Sequence, residues 1–213
     1  MAFVRTISPA DAEGSVREMY ELAQSRFGYV PNWTQAFSLR PDVLEGWSTL
    51  LRAVQSHLSV RSYELATLAA ARALRSSYCA LAHGSVLASK VFDASTVTAI
   101  ATDAADTPLE PGERALMAFA EKVAQRADQI TAADIESLHS HGYRDEEIFD
   151  VAAAAAARCF FSKLLDAVGA QADSTFKELD PTLRSALTVG REIDDRPAAR
   201  VPETNSAART PGA

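Results

Sequence analysis

Cysteine is scarce in this 213-residue sequence, which contains only Cys79 and Cys159. Two cysteines are too few for a framework of disulfide bonds, so the fold must be stabilised by its core, and a reducing cytoplasm is the expected compartment. Long hydrophobic runs are also missing, because no apolar run approaches the roughly 18 residues that cross a bilayer. Residues 1–5 do not show the charged and then apolar pattern of a signal peptide. The sequence therefore predicts a soluble cytoplasmic protein.

Lysine and arginine together are also fewer than aspartate and glutamate. The formal net charge is -7 and the isoelectric point is near 5.1. Nucleic acids and anionic membranes select for clustered lysine and arginine, so neither is expected as a partner. The expected ligand is a small molecule.

Motifs for metals and phosphate-containing cofactors are not found. Cys79 and His83 have the residue types of half a zinc site, but no second pair at ligand spacing completes it. There is no glycine-rich phosphate loop and no Gly-x-Ser-x-Gly motif. We therefore predict that the protein uses no metal and no cofactor.

The sequence predicts an all-α fold. No stretch shows sustained period-two alternation, whereas apolar residues recur at helical intervals and Ser, Asp and Pro stand at predicted helix starts. Residues 1–190 are predicted to form a single helical domain. From Arg191 to the end the chain is poor in bulky apolar residues, and a disordered C-terminal tail is predicted at 191–213. The predicted helices cover approximately 9–26, 31–37, 41–58, 60–75, 77–89, 94–106, 113–127, 132–141 and 145–168.

Two of these helices carry three residues whose side chains have acid-base or nucleophilic chemistry and whose spacing allows them to act together. Cys79 and His83 are four residues apart, so their side chains share one helix face. Glu64 lies fifteen residues before Cys79, in an apolar run of the preceding helix. A thiol, an imidazole and a carboxylate form a candidate proton relay, although a buried cysteine and a structural histidine give the same pattern.

The segment from Arg61 to Leu87 resembles the core motif of the alkylhydroperoxidase and carboxymuconolactone decarboxylase superfamily. That motif has a glutamate, a Cys-x-x-Cys pair and a histidine, and its pattern falls on Glu64, Ser76, Cys79 and His83. The flanking segments are similar to the peroxidase-related branch, over about residues 3 to 180; they are 28–32, 38–41, 112–116 and 163–169. The resemblance implies an orthogonal helical bundle of the alkylhydroperoxidase type that assembles as a homo-oligomer, namely a dimer, trimer or hexamer.

The resemblance also implies roles for the motif residues. Cys79 would attack a hydroperoxide, while Glu64 and His83 relay the thiol proton. Ser76 stands where the first cysteine belongs and cannot close a disulfide, so an external thiol reductant would be required. A second departure is Ser162-Lys163, where the peroxidase-related branch commonly has Asn-Arg.

Two other functions are compatible with the same residues. One is a cofactor-free acid-base enzyme of the carboxymuconolactone decarboxylase type, in which His83 or Glu64 moves a proton. The other is a non-catalytic oligomer that binds a ligand. Tyr78 is a possible neighbour of the site because it precedes the thiol, and Cys159 is predicted to be a structural thiol.

Overall fold

A computed structural model describes residues 2–104 and 107–202. Within these ranges the chain is helical and contains no β-strand; one isolated bridge pairs Val30 with Ala199. The predicted all-α fold class is confirmed. The helices are α1 (Gly14–Phe27), α2 (Asn32–Ala36), α3 (Pro41–Gln55), α4 (Val60–Ala73), α5 (Ser77–Lys90), α6 (Ala94–Ala101), α7 (Pro111–Arg126), α8 (Ala132–Ser140), α9 (Asp145–Ala167) and α10 (Pro181–Leu187).

Capping side chains start several helices at the predicted residues. Ser59 Oγ accepts a hydrogen bond from the backbone N–H of Ser62 at the start of α4, at 3.0 Å. Asp93 caps α6 in the same way, and Thr131 forms a capping box with Asp134 at α8. These caps satisfy backbone donors that a helix leaves unpaired in its first turn.

Helix α1 starts later than the sequence predicts. The pattern Ser8-Pro9 predicts a start at residue 9, but the structure has a separate turn there, in which Asp11 donates its backbone N–H to the Ser8 carbonyl. Gly14 has φ +52°, a left-handed conformation that a continuous right-handed helix cannot contain. The helix therefore begins only at Gly14.

Helix α4 lies at the centre of the bundle. It packs against α5, α7 and α9, and every residue from Tyr63 to Ala71 is buried. A helix that is apolar on all sides is stable only when neighbours cover each face. Because Glu64 belongs to this helix, the packing places a carboxylate inside the core.

A short link between α4 and α5 positions the motif helix. Arg75 adopts a left-handed conformation (φ +56°), and Ser76 donates its backbone N–H to the Ala71 carbonyl, which closes the end of α4. Gly190 lies against this link and donates its backbone N–H to Ser77 Oγ at 2.8 Å. A Cβ at Gly190 would come within 1.9 Å of the Arg75 carbonyl oxygen, so only glycine fits there.

The segment that the sequence predicts to be a disordered tail has defined contacts in its first part. Val201 is 5% exposed and packs with Tyr20 and Val30, and its backbone N–H donates to Gln24 Oε1 at 2.7 Å. Asp194 is buried and pairs with Arg196. Residues 199–202 therefore lie against α1 and Val30, and residues 191–195 contact the segment 166–177. Residues 203–213 of the predicted tail lie outside the described residues.

None of the helices in residues 2–104 and 107–202 has the length and apolar character needed to cross a membrane.

Candidate active site

Cys79 lies in the first turn of α5 and is 2% exposed. The backbone N–H groups at a helix N-terminus carry partial positive charge, which favours a thiolate over a thiol. His83 is one turn further along the same helix. The thiol therefore lies in the first helical turn, as the sequence predicts.

The predicted pair of acid-base residues is in direct contact. His83 Nδ1 lies 2.6 Å from Glu64 Oε2, so the α4 carboxylate orients the α5 imidazole. Both side chains are about nine-tenths buried. A hydrogen bond at Nδ1 assigns the proton to that nitrogen when Glu64 is ionised and leaves Nε2 as the proton acceptor.

Arg158 of α9 completes the site from the other side. The residue is 4% exposed, and its Nη1 donates to Cys79 Sγ at 3.6 Å. Nη2 donates to the hydroxyl of Tyr63 at 3.3 Å, and the ring of Tyr63 lies edge-on to His83, with centroids 5.9 Å apart. One guanidinium therefore connects the thiol to the residues around the imidazole.

This guanidinium is a buried charge without a carboxylate. No ion pair involves Arg158 among the residues that the structure describes. Burial opposes its charge, but the sulfur of Cys79 and the hydroxyl of Tyr63 outweigh burial and raise the pKa of Arg158. Burying a cation costs free energy unless it is paired, and the side-chain atoms that accept hydrogen bonds from this one are the sulfur of Cys79 and the hydroxyl of Tyr63.

The electrostatics of the site keep His83 neutral. Burial lowers the pKa of His83, the neighbouring Arg158 cation lowers it further, and the hydrogen bond to Glu64 opposes both only in part. A neutral imidazole is the form that accepts a proton from a thiol. The lowered pKa keeps the imidazole of His83 unprotonated and available as a base, although it also makes it a weaker one.

The lowered pKa of His83 predicts a specific loss of stability in mild acid. Below the unfolded-state pKa of about 6.5, His83 is protonated in the unfolded chain, whereas the buried imidazole of the folded protein stays neutral. The free energy of unfolding therefore falls as pH falls, by up to about 1.4 kcal/mol per pH unit. We expect this fall between pH 6.5 and 5 in the wild type and its absence in His83→Asn, whose amide can still donate to Glu64. Urea unfolding at several pH values measures it.

The exposed His57 provides the control for this comparison. His57→Asn should keep the wild-type dependence on pH, because its side chain is in contact with water in both states. Parallel curves for His83→Asn and the wild type would contradict the assignment of a neutral buried imidazole.

Tyr78 and Ser76 are the two predicted neighbours of the site. The hydroxyl of Tyr78 donates to the buried carboxylate of Asp173 and accepts the backbone N–H of Trp33, at 3.1 Å, so it points into another polar cluster. Burial, with Asp173 beside it, raises the pKa of Tyr78 far above its usual range. Ser76 is fully buried and is the residue immediately before α5.

Cys159 and the Ser162-Lys163 pair are the remaining residues that the sequence singles out. Cys159 Sγ contacts the Ala124 carbonyl of α7 at 3.9 Å, and burial raises the pKa of this thiol. Adjacent residues on a helix point about 100° apart, so Cys159 and Arg158 face different neighbours. Ser162 is buried in α9, whereas Lys163 is exposed and does not contribute to the site.

Arg158 and Tyr63 were not among the residues predicted from the sequence. One signal for Arg158 is its position: it follows the alanine-rich run 151–157, and the structure shows that this run is largely buried. A charged residue on such a face requires a buried partner. Tyr63 is next to Glu64 in the sequence, but no sequence motif marks it as a site residue.

No group of three or more His, Cys, Asp or Glu side chains in the described part of the chain has an arrangement that holds a metal ion.

Residues 41–122 match the model of the carboxymuconolactone decarboxylase family. This segment contains Glu64, Ser76, Cys79 and His83 but not Arg158. No curated protein sequence is significantly similar to the chain.

Several solved structures share the fold. An uncharacterized peroxidase-related protein from Ralstonia eutropha JMP134, described as an alkylhydroperoxidase AhpD core, is 24% identical with a TM-score of 0.73, covering 82% of this chain and 94% of that one. A peroxidase-related protein from Silicibacter sp. TM1040 is 22% identical with a TM-score of 0.74, covering 83% and 94%. The debrominase Bmp8, in complex with 2,3,4-tribromopyrrole, is 16% identical with a TM-score of 0.64, covering 88% and 98%.

Proposed function

Residues 41–122 place the chain in the carboxymuconolactone decarboxylase and alkylhydroperoxidase superfamily, as its sequence motif predicts, and on this premise we propose a thiol-based reduction of hydroperoxides at Cys79. The observation that carries the proposal is the buried Arg158 guanidinium, 3.6 Å from Cys79 Sγ and without a carboxylate partner in the described chain. A cation beside a thiol at a helix N-terminus favours the nucleophilic thiolate.

The proposed reaction uses each residue of the site. His83, held by Glu64, accepts the proton of the Cys79 thiol. The thiolate then attacks the outer oxygen of the hydroperoxide, the O–O bond breaks, and the sulfur becomes a sulfenic acid. The alkoxide leaves and takes the proton back from His83, so the imidazole is neutral again and the product is an alcohol.

Reduction of the sulfenic acid requires a thiol from outside the motif, because Ser76 has a hydroxyl with no redox chemistry. A first external thiol condenses with the sulfenic acid, giving a mixed disulfide and water. A second external thiol releases Cys79 and leaves as the external disulfide. Small-molecule thiols and reduced protein dithiols both have this chemistry.

The proposal predicts that peroxide converts Cys79, and not Cys159, into a sulfenic acid. Treatment of the reduced protein with one equivalent of hydrogen peroxide and dimedone should add one dimedone to the wild type and to Cys159→Ser, and none to Cys79→Ser. Mass spectrometry of the intact chain and of its peptides measures the adduct. No adduct on Cys79 at excess peroxide would contradict the peroxidase function.

A second candidate is the acid-base enzyme, which the Glu64–His83 hydrogen bond of 2.6 Å favours. In that reaction His83 moves a proton on a lactone or another small acid and the sulfur takes no part. Cys79→Ser separates the two candidates, because it abolishes thiol chemistry and should retain most of an acid-base turnover. A ligand-binding oligomer without catalysis would give neither a dimedone adduct nor turnover.

Assembly into a homo-oligomer and a cytoplasmic location remain part of the proposal. Large apolar side chains are exposed on the neighbouring helices α3 and α9, and a second copy of the chain is the partner we propose for them; they are Val43, Leu50, Phe149 and Phe160. Exposed apolar side chains on adjacent helices are typical of subunit contacts.

A further inference from the structure

The orientation of the Arg158 guanidinium beside Cys79 is not fixed by its ring contacts alone. The guanidinium carbon lies 5.8 Å from the ring centroid of Trp47 and 5.5 Å from that of Phe161. Attraction to the face of a ring positions a cation, but it does not select which nitrogen points in which direction. The rotation of the guanidinium must therefore be set by its directional contacts, which are hydrogen bonds.

Two hydrogen bonds give the guanidinium a direction. Nη1 donates to Cys79 Sγ at 3.6 Å and Nη2 donates to the hydroxyl of Tyr63 at 3.3 Å. Nε of Arg158 has no partner among the residues that the structure describes. Because a thiol sulfur is only a weak acceptor, the bond to the Tyr63 oxygen is the stronger of the two while Cys79 is protonated. The hydroxyl of Tyr63 therefore selects which nitrogen faces the sulfur.

Tyr63 is a suitable partner because it is held in place and uncharged. The residue lies in α4 and is 3% exposed. Burial raises the pKa of the Tyr63 hydroxyl by more than the Arg158 cation lowers it, so the phenol is neutral at neutral pH. A neutral acceptor satisfies Nη2 without cancelling the charge of the guanidinium, whereas a carboxylate would form an ion pair. The positive charge therefore remains available to Cys79.

We propose that Tyr63 is a positioning residue for Cys79, whose hydroxyl accepts the hydrogen bond from Arg158 Nη2 and thereby holds Nη1 against the sulfur. Tyr63 acts through Arg158 and requires no contact with a substrate. The orientation of Arg158 does not depend on peroxide chemistry. Only its effect on the rate of thiol oxidation rests on the proposed function.

Nitrogen-15 NMR of arginine-labelled protein tests the orientation without any reaction. Rotation about the Nε–Cζ bond exchanges Nη1 and Nη2, so a guanidinium held by hydrogen bonds gives two Nη resonances and a freely rotating one gives a single resonance. The Arg158 signals are those that Arg158→Met lacks. We expect two Nη resonances in the wild type and in Cys79→Ala, but one in Tyr63→Phe, which keeps the ring without the hydroxyl.

Three NMR results would overturn the proposal. A single Nη resonance in the wild type would show that the Arg158 guanidinium is not held. Two resonances in Tyr63→Phe would show that other contacts hold it. A single resonance in Cys79→Ala would show that the sulfur, and not Tyr63, sets the orientation.

The rate at which hydrogen peroxide consumes the Cys79 thiol tests the consequence for reactivity. Tyr63→Phe should react about tenfold more slowly than the wild type, because the cation is retained but its hydrogen bond to an oxygen acceptor is lost. In the Arg158→Met background the same substitution should change the rate by less than about twofold, since Tyr63 acts through Arg158. Equal slowing in both backgrounds would mean that Tyr63 only supports packing, and would overturn the proposal.

Tyr20→Phe is the matched control for the loss of a buried tyrosine hydroxyl. Tyr20 of α1 is 0% exposed, and its hydroxyl donates to the Ile7 carbonyl at 2.7 Å. The urea midpoint of this variant should fall because that hydrogen bond is lost, whereas its reaction rate and its Arg158 resonances should match those of the wild type. Slowing as large as in Tyr63→Phe would count against a specific role for Tyr63.

The outcome is separable from that of the dimedone experiment. Two Nη resonances that merge in Tyr63→Phe, without a dimedone adduct on Cys79 in the wild type, would overturn the peroxidase function alone. A dimedone adduct together with two Nη resonances in Tyr63→Phe would overturn only the positioning role of Tyr63.

Discussion

Replacing Arg158 with methionine is expected to slow the reaction of Cys79 with hydrogen peroxide by about 100-fold, while the folded protein stays as stable as the wild type or becomes more stable. The two expected effects have the same physical origin. Arg158 is a buried cation whose Nη1 lies 3.6 Å from Cys79 Sγ, with no carboxylate beside it in the described residues. Its charge attracts the negative charge that develops on the reacting sulfur, and burying that charge costs desolvation free energy.

The magnitude follows from Coulomb's law. Two unit charges about 4 Å apart attract by about 4 kcal/mol at an effective dielectric constant of about 20, and desolvation removes part of that. A net loss of about 2.7 kcal/mol of electrostatic stabilisation at the reacting sulfur in the variant corresponds to a factor of about 100 in rate. Methionine fills a similar volume without a charge, and replacing buried charges with apolar side chains is often neutral or stabilising.

The measurement is the second-order rate of loss of the Cys79 thiol, beside the free energy of unfolding in urea. Arg158→Lys is the matched variant, because it keeps the charge but lacks the planar fork, and it should be slowed by about tenfold only. A purely structural arginine would give the opposite pattern. In that case Arg158→Met would unfold more easily by about 3 kcal/mol, and the remaining folded protein would react with peroxide at the wild-type rate.

Replacing Ser76 with cysteine is expected to convert a one-thiol site into a dithiol site that closes a disulfide. Ser76 and Cys79 lie within one helical turn, since the Ser76 carbonyl accepts the first hydrogen bond of α5 from Ala80, at 2.9 Å. Cysteine is close to serine in size, and a free cysteine is readily tolerated at a fully buried position. We therefore expect the variant to fold like the wild type, with both thiols within bridging reach.

The count of free thiols before and after one equivalent of hydrogen peroxide measures the conversion. Ser76→Cys should lose two thiols per chain, with a mass decrease of two hydrogens, and regain both with dithiothreitol. Ser76→Cys combined with Cys79→Ser should form no such disulfide, and Ser76→Cys combined with Cys159→Ser should form it fully. If the folded Ser76→Cys protein keeps both thiols apart, the alignment of its motif with the redox motif is wrong.

Much of the motif region could be predicted from the sequence because its information is local. The spacing of Cys79 and His83 places both on one face of α5, and Ser59 and Asp93 mark helix starts through hydrogen bonds to residues three positions away. The predicted start of the first helix was wrong. The left-handed backbone of Gly14 interrupts it, and a glycine in the sequence does not show the sign of its φ angle.

The sequence by itself determined the helical class, the family motif and the shared face of Cys79 and His83, because each depends on residues close together in the chain. Only the tertiary structure decided that Arg158, 79 positions from Cys79, points at its sulfur. It also decided that Val201 packs against α1 and that Asp194 donates its backbone N–H to the Ala172 carbonyl, so residues 191–202 have defined contacts. Such contacts depend on which faces of distant helices meet. The residues around Arg158 in the sequence do not show which side chain it contacts. The electrostatic character of the thiol is therefore a property of the packed fold.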